Sequence, residues 1–215
     1  MPQIEIDPAN RGSLATGTPI AELSRSVIRF GYVPDLRQCE PGDVILFRDA
    51  MPKISSKIIS YAQGGSHVGA HARWTHAAIY LYDDQIVEAV PFPGVRTRSL
   101  YDDVPKMRIF RVRRRPGLSL QLRYVIALRA LSMLHSRYSF KAAFGIGWRS
   151  LGISSKVGAM SFGRVIICSK VVSDAYLERT RHLFQGCYPD HPVTPAHLSA
   201  TTDLYDVPVP WLAIA

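Results

Sequence analysis

The stretch Trp74-Thr75-His76-Ala77-Ala78-Ile79-Tyr80-Leu81 decides which fold this chain of 215 residues can adopt. It is too short for a buried helix and is rich in aromatic and branched residues, so it predicts a strand that enters a core. His76 stands at the mouth of this strand. A histidine in that place is either a hydrogen-bonded core residue or a catalytic base, and other parts of the chain must distinguish the two roles.

A second strand is predicted at residues 85 to 90, directly after a polar loop, so the two strands form a hairpin. If the loop has three residues, 82 to 84, Glu88 lies opposite Ala78 and shares a face with His76, because side chains alternate with period two. A two-residue turn would put Glu88 on the opposite face. The register of the hairpin therefore decides whether His76 has a carboxylate neighbour.

Cys168 stands where a helix is predicted to begin. The apolar residues after it recur at helical spacing, namely Val171, Val172, Ala175 and Tyr176. A helix amino terminus and a nearby imidazolium can lower the pKa of a thiol from about 8.5 to roughly 3.5–7.5, which makes it a nucleophile at neutral pH. The alternative for Cys168 is a small buried hydrophobic residue, the commoner fate of a lone cysteine.

The other two cysteines, Cys39 and Cys187, have neither a helix start nor a histidine strand beside them. Three cysteines are an odd count, and residues 1 to 7 lack the positive start and apolar core of a secretory signal. These features predict reduced thiols in a chain that is cytoplasmic as synthesised, with any export through a leaderless secretion system. No apolar run approaches the ~18 residues of a membrane span, so we expect no transmembrane segment.

Positive charge is concentrated between residues 96 and 141, where twelve lysines and arginines stand against two aspartates, a local balance of +10. This predicts a basic face with an anionic partner such as nucleic acid, an acidic membrane surface or a cell-wall polymer. A surface that only keeps the protein soluble is the alternative. No RNA-binding or helix-turn-helix signature accompanies the charge, so we do not expect nucleic acid.

The remaining segments predict an α+β fold in which an antiparallel sheet packs against helices. Residues 44 to 47 and 108 to 113 are further strands. Residues 120 to 135 predict a helix whose apolar side faces the sheet through Leu122, Val125, Ile126, Leu128, Leu131 and Leu134.

We place one domain at residues 40 to 215, with residues 1 to 39 as an arm and a helix packed on it. The helix is predicted to start at Thr18-Pro19, where a hydroxyl can cap and a proline takes the first helical position, and to end at Gly31.

Three histidines, His67, His71 and His76, recur at intervals of four and five residues, a spacing that can hold zinc. The glycines between and before them argue against a continuous helix that would put all three on one face. No cysteine or carboxylate lies among them. We therefore predict a glycine-rich loop here, no metal and no cofactor.

Five motifs follow one another between about residues 40 and 207, namely Pro41 to Phe47, Thr75 to Tyr80, Ile86 to Ala89, Cys168 to Val172 and Thr194 to Leu198. In this order they resemble the circularly permuted papain-like hydrolases, specifically the YiiX-like branch of the NlpC-type cysteine peptidases, which are related to the lecithin retinol acyltransferases. In that superfamily a histidine opens one strand, a polar residue on the next strand orients it, and the nucleophilic cysteine lies downstream at a helix start.

The resemblance implies a circularly permuted papain-like fold with His76 as the base, Glu88 as the residue that orients it and Cys168 as the nucleophile. It implies a cysteine hydrolase of the amidase or peptidase type, which cleaves an amide bond in a cell-wall peptide or related acyl substrate through an acyl-enzyme. The backbone N–H of Cys168 is the expected oxyanion donor, because it lies at a helix start.

Two residues depart from the family pattern, Lys170 after the cysteine-serine pair and His197 in the tail, and they leave the substrate open. A lipid amidase, esterase or acyltransferase is the alternative enzyme. Charge, family and the missing signal also suggest an antibacterial effector with a cognate immunity protein. The rival from another class is a catalytically silent module that binds an anionic surface.

Overall fold

The strand predicted around His76 lies inside a six-stranded sheet in the computed structural model of the protein, which describes residues 11–13, 23–49, 69–90, 93–106, 108–136, 168–180 and 193–214. The strands in these ranges are β1 (Arg11–Ser13), β2 (Tyr32–Pro34), β3 (Val44–Asp49), β4 (His76–Tyr82), β5 (Gln85–Val90), β6 (Gly94–Ser99), β7 (Arg108–Arg114), β8 (Tyr205–Val207) and β9 (Trp211–Ala213). The α-helices are α1 (Arg25–Phe30), α2 (Leu120–Ser132), α3 (Cys168–Thr180) and α4 (Pro195–Ala200).

The main sheet has the strand order β6-β5-β4-β3-β7-β8, and all its neighbouring strands are antiparallel. A smaller sheet, in the order β1-β9-β2, brings residues 11–13 and 32–34 beside residues 211–213. The sequence predicted neither β1 nor β9. The antiparallel sheet and its helices confirm the predicted α+β class. In the part of the chain that the structure describes, the helices are too short or too polar to cross a bilayer.

The β4–β5 hairpin has the predicted register but not the predicted loop. Its turn contains two residues, Asp83 and Asp84, and Asp83 has a left-handed φ of 51°, a conformation that aspartate tolerates well. A bulge at Leu81 inserts an extra residue into β4. Because the bulge compensates for the shorter turn, Glu88 lies opposite Ala78, as predicted.

Strand β4 is buried on both faces, which explains its continuous apolar sequence. One face, which includes Ile79, packs against α2 and α3. The other face, which includes Ala78, packs against a core that contains Phe47, Leu100 and Trp211. His76 has the same parity as Ala78 and projects to this second face at the beginning of the strand.

Helix α2 begins where predicted, with Ser119 accepting a hydrogen bond from the backbone N–H of Leu122, but it ends three residues early. His135, the predicted last residue, has a left-handed φ of 64° and is outside the helix. Ile126 is buried as predicted, whereas Leu128 is 62% exposed and does not face the sheet. The predicted apolar side was therefore too wide.

The first helix is shorter than predicted. It begins at Arg25, because Ser24 has the extended backbone of an N-cap residue (φ −64°, ψ 150°), and it ends at Gly31, which has a left-handed φ of 81°. The predicted start at Thr18-Pro19 lies outside the described residues. So do His67 of the predicted glycine-rich loop and Cys187.

Most arginines of the basic segment are used inside the protein. Arg111 forms a two-pronged ion pair with Asp206, with Nε–Oδ1 and Nη2–Oδ2 distances of 2.5 and 2.7 Å. Arg114 pairs in the same way with the buried Asp43, at 2.8 and 2.7 Å. Since other arginines of the segment also have carboxylate partners, the described part of it does not form the single exposed basic face that the charge predicted.

Gly42 occupies a turn that no other residue fits well. Its φ is +85°, and a Cβ atom there would lie 3.2 Å from the carbonyl oxygen of Arg123 and 3.4 Å from Ile126 Cγ2. Gly117 also has a positive φ, +74°, but a Cβ atom at that position would meet nothing within 4 Å. A comparison of the two positions therefore separates the cost of the left-handed backbone from the cost of the steric contact.

We expect Gly42→Ala to lower the free energy of unfolding by about 2 to 3 kcal/mol and Gly117→Ala by about 1 kcal/mol, because only the first adds a clash to the left-handed backbone. Urea denaturation of the two variants measures both values. Equal losses would show that the contact with Arg123 and Ile126 relaxes without cost.

Candidate active site

His76 and Glu88 form the hydrogen bond that the hairpin register predicted. His76 Nε2 lies 2.9 Å from Glu88 Oε2, and the imidazole packs against the Phe47 ring with 5.7 Å between ring centroids. The Glu88 side chain is only 1% exposed and that of His76 is 15% exposed. The imidazole is therefore fixed on one side by a buried carboxylate and keeps limited access to solvent.

Cys168 is the first residue of α3, in agreement with the predicted helix start. Its thiol lies close enough to the His76 imidazole for charge and hydrogen bonding to shift the pKa of both groups, and the backbone N–H groups of Ala77 and Ser169 also lower the pKa of the thiol. Because Glu88 occupies Nε2 of the ring, Nδ1 is the nitrogen left for the thiol. The structure thus brings together the three predicted site residues, Cys168, His76 and Glu88.

The position of Cys168 follows from the packing of α3. The helix buries Val171, Val172 and Ala175 against the face of the sheet that includes Ile79. The hydroxyl of Tyr176 donates a hydrogen bond of 2.5 Å to the carbonyl oxygen of Gly42. Ser169 is tied down as well, with its hydroxyl 2.5 Å from the carbonyl oxygen of Val193. These contacts hold the first turn of the helix at the beginning of β4.

The electrostatics of these residues favour an ion pair. Burial alone would raise the pKa of the Cys168 thiol, but the neighbouring His76 lowers it below its ordinary value. Burial would likewise lower the pKa of His76, but Cys168 and then Glu88 raise it to about 9. The two shifts therefore favour a thiolate beside an imidazolium, the form in which a cysteine is nucleophilic.

Glu88 is held by two arginines that the sequence analysis missed. Arg96 donates to Oε1 from Nε and Nη2 at 3.1 and 2.8 Å, and Arg98 donates to Oε1 and Oε2 at 2.7 and 2.9 Å. Burial would raise the pKa of Glu88, but the hydrogen bonds from His76 and Arg98 lower it well below its usual range. The two-residue spacing of Arg96 and Arg98 puts both on the face of β6 that neighbours Glu88, but the sequence did not mark these residues as a strand.

The predicted oxyanion donor is compatible with the fold. Cys168 is the first residue of α3, so its backbone N–H has no carbonyl partner within the helix. The same residue carries the thiol, so this N–H group lies close to the sulfur atom.

Other candidate residues lie elsewhere or have different partners. Burial and the charge of Asp43 raise the pKa of Cys39 to about 12, so this thiol stays neutral. His71 Nδ1 lies 3.0 Å from the Ser199 hydroxyl, away from the partners of His76. Within the described ranges, no three histidine, cysteine or acidic side chains are arranged to hold a metal ion.

Comparisons with the models of known protein families and with curated proteins find no match for this chain. The chemistry of the site therefore follows from its own geometry.

The contrast between Cys168 and Cys39 gives a direct test of the ion pair. We expect iodoacetamide at pH 7 to modify Cys168 at least about tenfold faster than Cys39, because His76 lowers the pKa of the first thiol whereas the pKa of the second is raised to about 12. The rate at Cys168 should reach its plateau at a lower pH than the rate of an ordinary thiol, whose pKa is about 8.5. Peptide mass spectrometry after timed quenching measures the rate at each cysteine.

His76→Ala is the matched variant for this experiment. Without the imidazolium, the reactivity of Cys168 should rise only around or above the ordinary thiol pKa of about 8.5, because burial then raises the pKa with no opposing charge. A wild-type profile that rises in the same way would contradict the ion pair.

Proposed function

We propose that the protein is a cysteine hydrolase that cleaves an amide bond through Cys168, His76 and Glu88. The observation that carries this proposal is a single imidazole that is hydrogen-bonded to a buried carboxylate and interacts with a thiol at the start of a helix. Structural cysteines do not need such an arrangement, whereas a nucleophile with a base and an orienting group does.

In the proposed reaction the Cys168 thiolate attacks the amide carbonyl carbon, and a tetrahedral intermediate forms. The backbone N–H of Cys168 donates to the oxyanion. The His76 imidazolium then gives its proton to the leaving nitrogen, the C–N bond breaks, and a thioester remains on Cys168. His76, now neutral, accepts a proton from water, which attacks the thioester and releases the acid.

Glu88 keeps its charge throughout this cycle. Its carboxylate fixes the tautomer of His76 and stabilises the imidazolium, as the third member of a catalytic triad does. Because the pKa of His76 is about 9, turnover should decline above that pH, where the proton for the leaving nitrogen is lost.

We propose further that the fold is a circularly permuted papain-like fold. Support comes from the chain order, in which the base on β4 and its orienting residue on β5 precede the nucleophile at the start of α3. The same order was the basis of the family resemblance.

The proposed substrate is a peptide amide of the bacterial cell wall or a related acyl compound with an anionic group. Arg96 supports the anionic group, because its side chain is 43% exposed while it contacts Glu88. It is thus a basic residue of the site that a bound substrate can reach.

Mass spectrometry of cell-wall fragments and of lipid extracts, each incubated with the purified protein, tests the proposal. We expect new amine and acid products in the cell-wall sample with the wild type and none with Cys168→Ala. Products in the lipid sample alone would move the substrate to lipid amides or esters. The absence of products from both samples, or equal products from both proteins, would count against the hydrolase.

A further inference from the structure

Arg98 on β6 contacts the Glu88 carboxylate from the strand next to β5. Its Nε donates to Oε1 at 2.7 Å and its Nη2 donates to Oε2 at 2.9 Å, so the guanidinium grips both oxygens. The Arg98 side chain is 9% exposed. This fork constrains the plane of the carboxylate as well as its position.

Arg96 and Arg98 contact the oxygens of the Glu88 carboxylate in different ways. Both donor groups of Arg96 go to Oε1, whereas Arg98 also contacts Oε2, the oxygen that receives the hydrogen bond from His76. A rotation of the carboxylate about its bond axis would keep an Arg96 contact but would break the Arg98 fork. Arg98 is therefore placed to decide where Oε2 points.

Arg98 is itself held on several sides. Its Nη2 lies 2.5 Å from Asp103 Oδ2, and its Nη1 donates to the backbone oxygen of Ser99 at 2.9 Å. The guanidinium carbon is 5.6 Å from the centre of the Phe47 ring, which also packs against the His76 imidazole. Asp103 is buried and also accepts a bond from Arg108 at 3.3 Å.

We propose that Arg98, anchored by Asp103, is a positioning residue that aims the Glu88 carboxylate at His76 Nε2. This inference rests on the proposed hydrolase function for its effect on turnover, but the alignment of the thiol–imidazole pair can be measured without a substrate. A buried carboxylate that accepts bonds from two arginines can turn toward either of them. The fork of Arg98 holds both oxygens at once, so that Oε2 stays directed to His76.

Arg98→Lys tests the proposal, because lysine keeps the charge but cannot form the fork. We expect kcat to fall about tenfold with KM within about twofold of the wild type, since a displaced orienting group affects the chemical step and not substrate binding. Asp103→Asn should reproduce a smaller part of the loss. Arg29→Lys, an exposed change on α1, is the matched control and should leave kcat unchanged.

Alkylation of Cys168 against pH gives the substrate-free readout. With Arg98→Lys we expect the inflection of the rate to move to higher pH, because a misaligned Glu88 stabilises the imidazolium less and so leaves the thiol less acidic. The measurement reports on the charged groups around the imidazole. These are Cys168 from α3, Glu88 from β5, and Arg96 and Arg98 from β6. Arg108 from β7 lies across the Phe47 ring.

The two readouts separate the two hypotheses. If the wild type cleaves no amide or ester but its alkylation profile shifts with Arg98→Lys, the positioning role stands and the hydrolase assignment fails. If Arg98→Lys is folded by circular dichroism and matches the wild type in its alkylation profile, the positioning role is overturned, whatever the enzyme cleaves. Should Arg98→Lys not fold, the same comparison with Asp103→Asn decides the question.

Discussion

Cys168→Ala is expected to reduce turnover by about a thousandfold or more, because the thiolate forms the covalent intermediate and no other described group can replace it. The fold should survive, since the change removes one sulfur atom at the start of α3 and leaves the buried contacts of Val171, Val172 and Ala175 in place. We expect a change of within about 1 kcal/mol in the free energy of unfolding. Kinetics and urea denaturation of the same preparation test both statements.

Cys39→Ala is the control for this variant. Cys39 lies beside Asp43, has a pKa of about 12 and therefore carries no thiolate at neutral pH. Its replacement should leave kcat at the wild-type value. A folded Cys168→Ala protein that still turns over substrate would remove Cys168 from the mechanism.

His76→Ala should cost about as much as Cys168→Ala, and the double variant should be no worse than either one. The two residues act as a unit, so removal of either one already eliminates the ion pair. Additive losses would mean that each residue contributes through a separate mechanism, which the effect of each group on the pKa of the other argues against.

The hairpin shows how far local sequence rules reach. A short apolar run rich in aromatic and branched residues predicts β4, and a following run predicts β5. Such a run is typical of a strand that is buried on both faces. The pairing of Glu88 with Ala78 was predicted correctly from a loop of the wrong length. The bulge at Leu81 made up the difference, and no residue in the sequence marks that bulge.

The arginines show where local rules end. A run of basic residues predicted an exposed face, but Arg111, Arg114 and Arg98 are paired with Asp206, Asp43 and Asp103, and two of these partners are far away in the sequence. A carboxylate distant in sequence becomes a partner only after the sheet has formed. The charge count therefore could not separate surface arginines from buried ones.

The same limit applies to the candidate site. His76, Glu88 and Cys168 could be proposed because each stands at an element whose local pattern is strong. Arg96 and Arg98 were missed because β6, with its sequence GVRTRS, has no apolar alternation that would predict a strand. The strand is ordered mainly by its pairing with β5, which is a tertiary effect.

Glu88→Gln is expected to damage both stability and catalysis. The carboxylate is 1% exposed and accepts bonds from His76, Arg96 and Arg98, so a neutral amide leaves the buried guanidinium of Arg98 without its full counter-charge. The amide NH2 group would also face a donor, either on His76 or on an arginine. We expect a loss of about 3 to 5 kcal/mol in the free energy of unfolding at pH 7.

The pH dependence of that loss has a definite sign. The folded-state pKa of Glu88 is lowered relative to its ordinary value of 4.5, so the stabilisation from its charge is present above the unfolded-state pKa and disappears as pH falls through the folded-state pKa. The difference in the free energy of unfolding between the wild type and Glu88→Gln should therefore have its full size above the ordinary pKa and decrease progressively at more acid pH. Urea denaturation at a series of pH values measures this difference.

Asp206→Asn is the matched control that separates the structural from the catalytic part of the Glu88 effect. Asp206 also neutralises a buried arginine, Arg111, and it lies at β8, at the opposite edge of the sheet from β6. Its replacement should destabilise the protein and leave the kcat of the folded fraction unchanged. Glu88→Gln should instead lower kcat about a hundredfold or more, since His76 loses the group that fixes its tautomer. If both variants lost stability and neither lost kcat, Glu88 would be a structural counter-ion of Arg98 and His76 would act without an orienting carboxylate.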